Sequence, residues 1–126
     1  MKKLFITIIN IVICTHALAD TRVFTCITEK HTIFIDKTDS QSYRYRSWNK
    51  PKTSDAKPDM ELKSQDFKVE GTGACRHSEF SFKTGKVEFL VDDDISCVET
   101  APPKNAIGNL TVLINGEVKS NYFCYK

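Results

Sequence analysis

Apolar and polar residues alternate with a period of two along most of the chain beyond residue 20, the mark of strands with one buried face. Val23 to Ile27 opens the pattern. Thr32-Ile33-Phe34-Ile35 follows, with a turn expected near Glu29-Lys30. Tyr43 and Tyr45 then alternate with Ser42, Arg44 and Arg46, and Trp48 is expected to continue the aromatic side. Leu62 to Val69 is a fourth, weaker candidate. Ser78 to Phe82 alternates cleanly, and Val87 to Val91 returns after Lys83-Thr84-Gly85-Lys86, a hairpin turn in which Gly85 supplies a positive φ. Leu110 to Ile114 is the strongest strand. Asn115-Gly116 is the best two-residue hairpin signal, and Val118 to Tyr125 runs back from it.

No segment past residue 20 repeats apolar residues at helical spacing over three turns, although residues 53–66 leave room for a short helix. The expected fold is all-β: a small antiparallel barrel or sandwich of seven to eight short strands. Two stretches read as loops, Asn49 to Asp59 and Asp92 to Asn109. Both are long for β connections, and long ordered loops often carry function.

The first nineteen residues break the pattern. Lys2 and Lys3 precede an apolar run, Leu4 to Ile13, interrupted only by Thr7 and Asn10, and Ala17-Leu18-Ala19 precedes Asp20. This is the three-part pattern of a secretory signal, with a Lys-Lys start of bacterial type, and the run is too short to span a bilayer. Residues 1–19 are therefore read as a signal peptide and 20–126 as a single β domain in the periplasm or outside the cell. Ile11-Val12-Ile13-Cys14 offers a lipoprotein cut as the alternative, with bulky Ile13 where that cleavage wants a small residue.

Removing the signal changes the charge and the cysteine count. The full chain has 18 basic and 16 acidic residues, and the two signal lysines leave 16 of each. A neutral domain gives no electrostatic argument for nucleic acid or an anionic membrane. The cysteines that remain are Cys26, Cys75, Cys97 and Cys124, which in an oxidising compartment read as two disulfides. Three pairings are possible. Strand placement favours Cys26 with Cys124, joining the first and last segments, and Cys75 with Cys97, stapling a hairpin. No C-x-x-C pair and no metal-ligand interval involving His31 or His77 points to zinc.

The search for catalytic groups returns little. Neither His31 nor His77 lies in a nucleophile motif, and the paired cysteines are no nucleophiles. Asp92-Asp93-Asp94 lacks the spacing of a calcium loop and reads as a solvated acidic turn. The chain offers little cleft for a carboxylate pair of the glycosidase kind. Tyr43 to Trp48 interleaves basic and aromatic residues, but strand alternation sends tyrosines inward and arginines to solvent. Asn109-Leu110-Thr111 fits a glycosylation pattern and reads as a turn before a strand. No enzyme activity and no cofactor is expected.

The most distinctive stretch is Gly71-Thr72-Gly73-Ala74-Cys75, followed by Phe80-Ser81-Phe82-Lys83-Thr84-Gly85-Lys86. It resembles the small periplasmic inhibitors of C-type lysozyme, in which a Ser-Gly-x-Gly-Ala-like loop precedes an aromatic strand and a Lys-Gly turn. The resemblance implies a disulfide-linked barrel whose loop hydroxyl and basic side chain enter the lysozyme cleft. Thr72, beside Gly73, would supply the hydroxyl, and Lys83, with Lys86 nearby, the charge. Thr72 stands where that family has serine, and Lys86 where it has an acid. The chain also resembles a wider group of exported bacterial proteins that share an early F-x-C segment and a Gly-Asn-Leu-x-Val strand. The expected function is an exported binding protein that blocks a secreted cell-wall hydrolase such as lysozyme. The alternative is an immunity protein or other envelope module that neutralises a toxin.

Overall fold

The computed structural model describes residues 20–38 and 41–126. The expected leader and the alternative cut at Cys14 lie outside the described residues. The described chain is all-β, with one short 3-10 turn at Gly73–Cys75. Four strands form the first antiparallel sheet: β1 (Thr21–Ile27), β2 (His31–Lys37), β3 (Tyr43–Asn49) and β4 (Met60–Ser64). Five form the second: β5 (Phe67–Glu70), β6 (His77–Thr84), β7 (Val87–Asp92), β8 (Gly108–Ile114) and β9 (Glu117–Cys124). Every strand pairs with its neighbour in sequence within its sheet.

Nine strands stand where seven or eight were expected, because the weak candidate Leu62 to Val69 is two strands in different sheets. The break falls at Gln65-Asp66. The Asp66 amide donates to Ser64 Oγ at 3.0 Å, and its carbonyl accepts from the Ser81 amide at 3.0 Å. That turn takes the chain off β3 and delivers it to β6. Residues 53–66 hold no helix; they are turns followed by β4.

The turns follow local chemistry. Thr28 Oγ1 accepts from the amides of Lys30 (3.2 Å) and His31 (2.9 Å), which closes the β1–β2 hairpin. Asn115 and Gly116 have φ of 54° and 80°, as a type I′ turn requires. Gly85 turns the β6–β7 hairpin with φ of 57°. The Asn115 amide donates to the Lys86 carbonyl at 2.9 Å, so the two hairpin tips are tied together.

The two sheets enclose one core. Ile33, Ile35, Tyr45, Phe80, Phe82, Val91 and Leu110 fill it together with Cys26 and Cys124. Tyr45 packs on Phe82 and Phe89, with ring centroids 5.4 and 5.3 Å apart. Tyr43, Phe67 and Phe80 form a three-ring cluster where the sheets meet. On the opposite side, Ile27 and Tyr125 exchange backbone hydrogen bonds at 3.1 and 2.9 Å. The disulfides are Cys26–Cys124 and Cys75–Cys97, and the first locks this β1–β9 seam. The meander is thereby drawn toward a barrel. Gly108 permits the closure: a Cβ there would overlap the Asp92 carbonyl and lie 2.7 Å from the Phe24 ring.

Trp48 does not continue the tyrosine side of β3. Tyr43, Tyr45 and Ser47 point inward, so by alternation Trp48 shares the outer face with Arg44 and Arg46. It is nevertheless only 1 % exposed, because the 50–59 loop covers it. Its indole N–H donates to the Ala56 carbonyl at 2.8 Å, and Phe34 packs against it edge-on at 5.0 Å. Beside it Asp36, whose side chain is 3 % exposed, receives Arg22 at 2.5 Å and Arg46 at 2.7 Å, with Arg44 at 3.6 Å. The Arg22 guanidinium lies 3.5 Å from the centre of the Phe34 ring. Burial disfavours ionisation of Asp36, but the hydrogen bonds and charges of Arg22 and Arg46 outweigh it and hold the carboxyl below its usual value.

Candidate binding surface

The second disulfide shapes the most feature-rich part of the surface. Residues 71–76 connect β5 to β6, residues 93–107 connect β7 to β8, and Cys75–Cys97 ties these loops together at one end of the five-stranded sheet. Gly71 makes the first loop possible: its φ is 75°, and a Cβ there would overlap the Cys75 carbonyl.

The acidic triplet organises the second loop. Asp93 accepts from the Ser78 amide at 2.7 Å while its own amide donates to the Ser78 carbonyl at 3.1 Å, which anchors the loop to the start of β6. Asp94 accepts from the Ser96 amide at 2.7 Å. Two of the three carboxylates are thus committed to backbone. Among the described residues no group of His, Cys, Asp or Glu is arranged to hold a metal ion.

Asp92 is different. It ends β7 opposite Glu79 and Asn109 on the outer face. His77 Nε2 lies 3.9 Å from Asp92 and 3.9 Å from Glu70, and its Nδ1 is 3.1 Å from the Cys75 carbonyl. That carbonyl, then the carboxylates of Asp92 and Glu70, raise the His77 pKa above its usual value. Burial, with Glu79 next, pushes Asp92 up to about 6; Glu70 and Asp93 add to the rise and His77 opposes it. A hollow of about 340 Å³ runs past these groups and the disulfide to Val98. A second, of about 510 Å³, continues from Val98 and Ala101 to Phe123. Val98 is 49 % exposed and Phe123 40 %.

The chain matches no family model, no curated protein and no solved structure.

The four residues expected at a binding site do not meet. Thr72 precedes the 3-10 turn at the clamped end, and Gly73 begins it. Lys83 lies near the far end of β6 and Lys86 in the opposite hairpin tip. From His77 to Lys83 the strand covers about 20 Å at roughly 3.3 Å per residue. Lys83 is exposed on the outer face opposite Glu88, which also accepts from Ser81 Oγ at 2.7 Å. The cluster of His77, Asp92, Val98 and Phe123 was missed. Part of it was readable: Cys124 faces the core, so by alternation Phe123 must face out. Asp92 and His77 meet only through the β6–β7 register.

The raised Asp92 pKa has a consequence for stability. The unfolded chain ionises Asp92 near 3.8, and the folded chain holds the proton to about 6. The folded state therefore binds more protons over this range, and stability falls as pH rises from about 4 to 6, then levels. Asp92→Asn should remove that fall and stabilise the protein by about 1–2 kcal/mol at pH 7.5, less than the roughly 3 kcal/mol of the full shift because the site is partly exposed. Urea denaturation across pH 4–8 measures it; an unchanged slope would show that Asp92 titrates normally.

Proposed function

We propose that the chain is an exported, disulfide-stabilised binding protein that docks a cationic secreted hydrolase, lysozyme first, through the clamped end of the five-stranded sheet. The observation that carries this reading is that Val98 and Phe123, both exposed, line one hollow together with the carboxylate of Glu99, and that the adjoining hollow runs from Val98 to Asp92. An apolar anchor rimmed by charge is the arrangement of a protein interface. Lys68 ion-pairs with Glu70 at 3.5 Å and Glu79 at 3.3 Å, so the local attraction for a basic partner comes from Asp92 and Glu99. Thr72 borders this surface. Lys83 and Lys86 stand at the other end of the sheet, so one narrow cleft does not receive both groups.

Protein comprising residues 20–126 should inhibit lysis of a cell-wall suspension by an animal lysozyme. Phe123→Ser should weaken inhibition about tenfold or more, as loss of an interface anchor does, while Lys83→Ala with Lys86→Ala changes it less than about twofold. No inhibition of any cationic lysozyme at excess protein ends the hydrolase reading and leaves toxin neutralisation as the partner class. Dependence on Lys83 and Lys86 instead of Phe123 moves the interface to the hairpin tips.

A further inference from the structure

The core is incomplete at one place. Between the sheets lies a cavity of about 260 Å³, open on one side, that the docking surface above does not use. Its walls come from both sheets. Met60, Phe89, Leu110 and Val112 make them apolar, and the rings of Tyr45 and Tyr122 flank them.

The cavity exists because two positions carry short polar side chains where the barrel calls for large apolar ones. Ser47 is the third inward position of β3, after Tyr43 and Tyr45, and is 5 % exposed. Ser120 lies opposite Val112 on β9, and both residues line the space. Isoleucine or leucine at either position would extend the core into the gap. The serines leave it open and place hydroxyls on otherwise apolar walls. A site with apolar walls and few polar groups is the form of a small-molecule pocket.

The lining also defines the guest. Tyr45 is buried, and burial pushes its pKa up to about 12 with Ser47 opposing the rise, so its hydroxyl stays neutral. Burial, with Lys30 adding to it, holds His31 below its usual value, which keeps that ring neutral at pH 7 despite Asp59. Its Nδ1 is enclosed and has no hydrogen-bond partner among the described residues. The one carboxylate at the rim, Asp59, is occupied by Lys52 at 2.5 Å and the Asn49 amide at 2.7 Å. Among the described residues no unpaired charge faces the space. An apolar cavity of about 150 Å³ is enough for benzene, so this one has room for a ring with a polar substituent.

We propose that the inter-sheet cavity is a binding site for a small neutral cyclic molecule bearing a hydroxyl, its ring against Phe89, Leu110 and Val112 and its hydroxyl among Ser47, Ser120 and Tyr45.

The test is a heteronuclear NMR titration of residues 20–126 with phenol, and separately with benzoate and benzylamine. Phenol should give saturable shifts at the amides of Ser47, Leu110, Val112 and Ser120, with a dissociation constant of about a millimolar or below. Benzoate and benzylamine should bind at least about tenfold more weakly. Ser120→Leu, which fills the gap, should abolish the phenol shifts, whereas Phe123→Ser on the outer face should leave them intact. No saturable shift with phenol, or shifts confined to the outer face, overturns the proposal, and the unsubstituted chain decides this even where Ser120→Leu does not fold. Equal binding of benzoate overturns the assignment of a neutral guest.

Discussion

Cys26→Ala with Cys124→Ala should lower the unfolding free energy by about 4–5 kcal/mol, the largest loss expected from any single feature of the chain. The two cysteines are 98 residues apart in sequence, so their bond closes a loop nearly as long as the domain. Constraint of the unfolded chain grows with the logarithm of loop length, and a loop of about 100 residues is worth about 4.7 kcal/mol in that account. The bond is also fully buried and sits beside the Ile27–Tyr125 backbone pair, so its loss loosens the β1–β9 seam. Cys75→Ala with Cys97→Ala makes the control. That pair is 22 residues apart and exposed, and its removal should cost roughly 1 kcal/mol less on loop length alone. Its effect should fall instead on binding, because it pre-organises the loop that carries Val98. Guanidinium denaturation of both double variants gives the comparison. A larger stability loss from Cys75 and Cys97 would mean that the clamp, and not the seam, holds the domain together.

Asp36→Asn should cost about 2–4 kcal/mol. The substitution keeps the shape and removes the charge that pairs Arg22 and Arg46, while Arg44, 3.6 Å away, keeps Asp20 at 2.5 Å and Glu61 at 3.7 Å. Breaking a buried ion network costs about 3–5 kcal/mol because the remaining charges lose their partner. The range is lowered because the arginine side chains are 22–38 % exposed and water screens what is left. The pH dependence has a definite sign. The Asp36 pKa is lower in the folded state, so its contribution is complete above the usual value near 3.8 and is lost as the solution is acidified through the folded value. Asp36→Asn should therefore destabilise strongly at pH 7 and much less near pH 2. Replacing Arg46 with Met in the same chain should recover part of the loss. Equal destabilisation at pH 2 and 7 would assign the effect to packing. Asp36 and Asp92 pull in opposite directions: one loses stability toward low pH, the other between about pH 4 and 6. Together they favour greatest stability in mildly acid solution.

Local patterns carried most of the fold. Alternation marked β1, β2, β3 and β6 to β9, because a strand's buried face repeats every second residue wherever it packs. Gly85 and Asn115-Gly116 marked two hairpins, because positive φ restricts the residue type at each turn. The four cysteines past residue 20, by their placement on strands and loops, anticipated both disulfides. What failed did so where a distant segment decides. Leu62 to Val69 is apolar enough to read as one strand, and only the Ser81 amide waiting for the Asp66 carbonyl divides it between two sheets. Trp48 sits at an outward position, and the 50–59 loop together with Phe34 and Arg46 buries it there.

The candidate sites divide in the same way. Sequence by itself determined that this chain makes short strands of known inward and outward faces, turns at set glycines and two covalent staples, since each of these is fixed by residues next to one another or by type. It placed Gly71-Thr72-Gly73 in a loop and Lys83 and Lys86 at a hairpin, but proximity along the chain suggested one site where β6 separates them by about 20 Å. Tertiary structure alone brought Asp92 to His77 across the β6–β7 register, placed Val98 and Phe123 on one hollow at the end held by the Cys75–Cys97 bond, and left Ser47 and Ser120 lining an unfilled space. Each of these depends on pairings between segments far apart in sequence, and no local pattern carries that information.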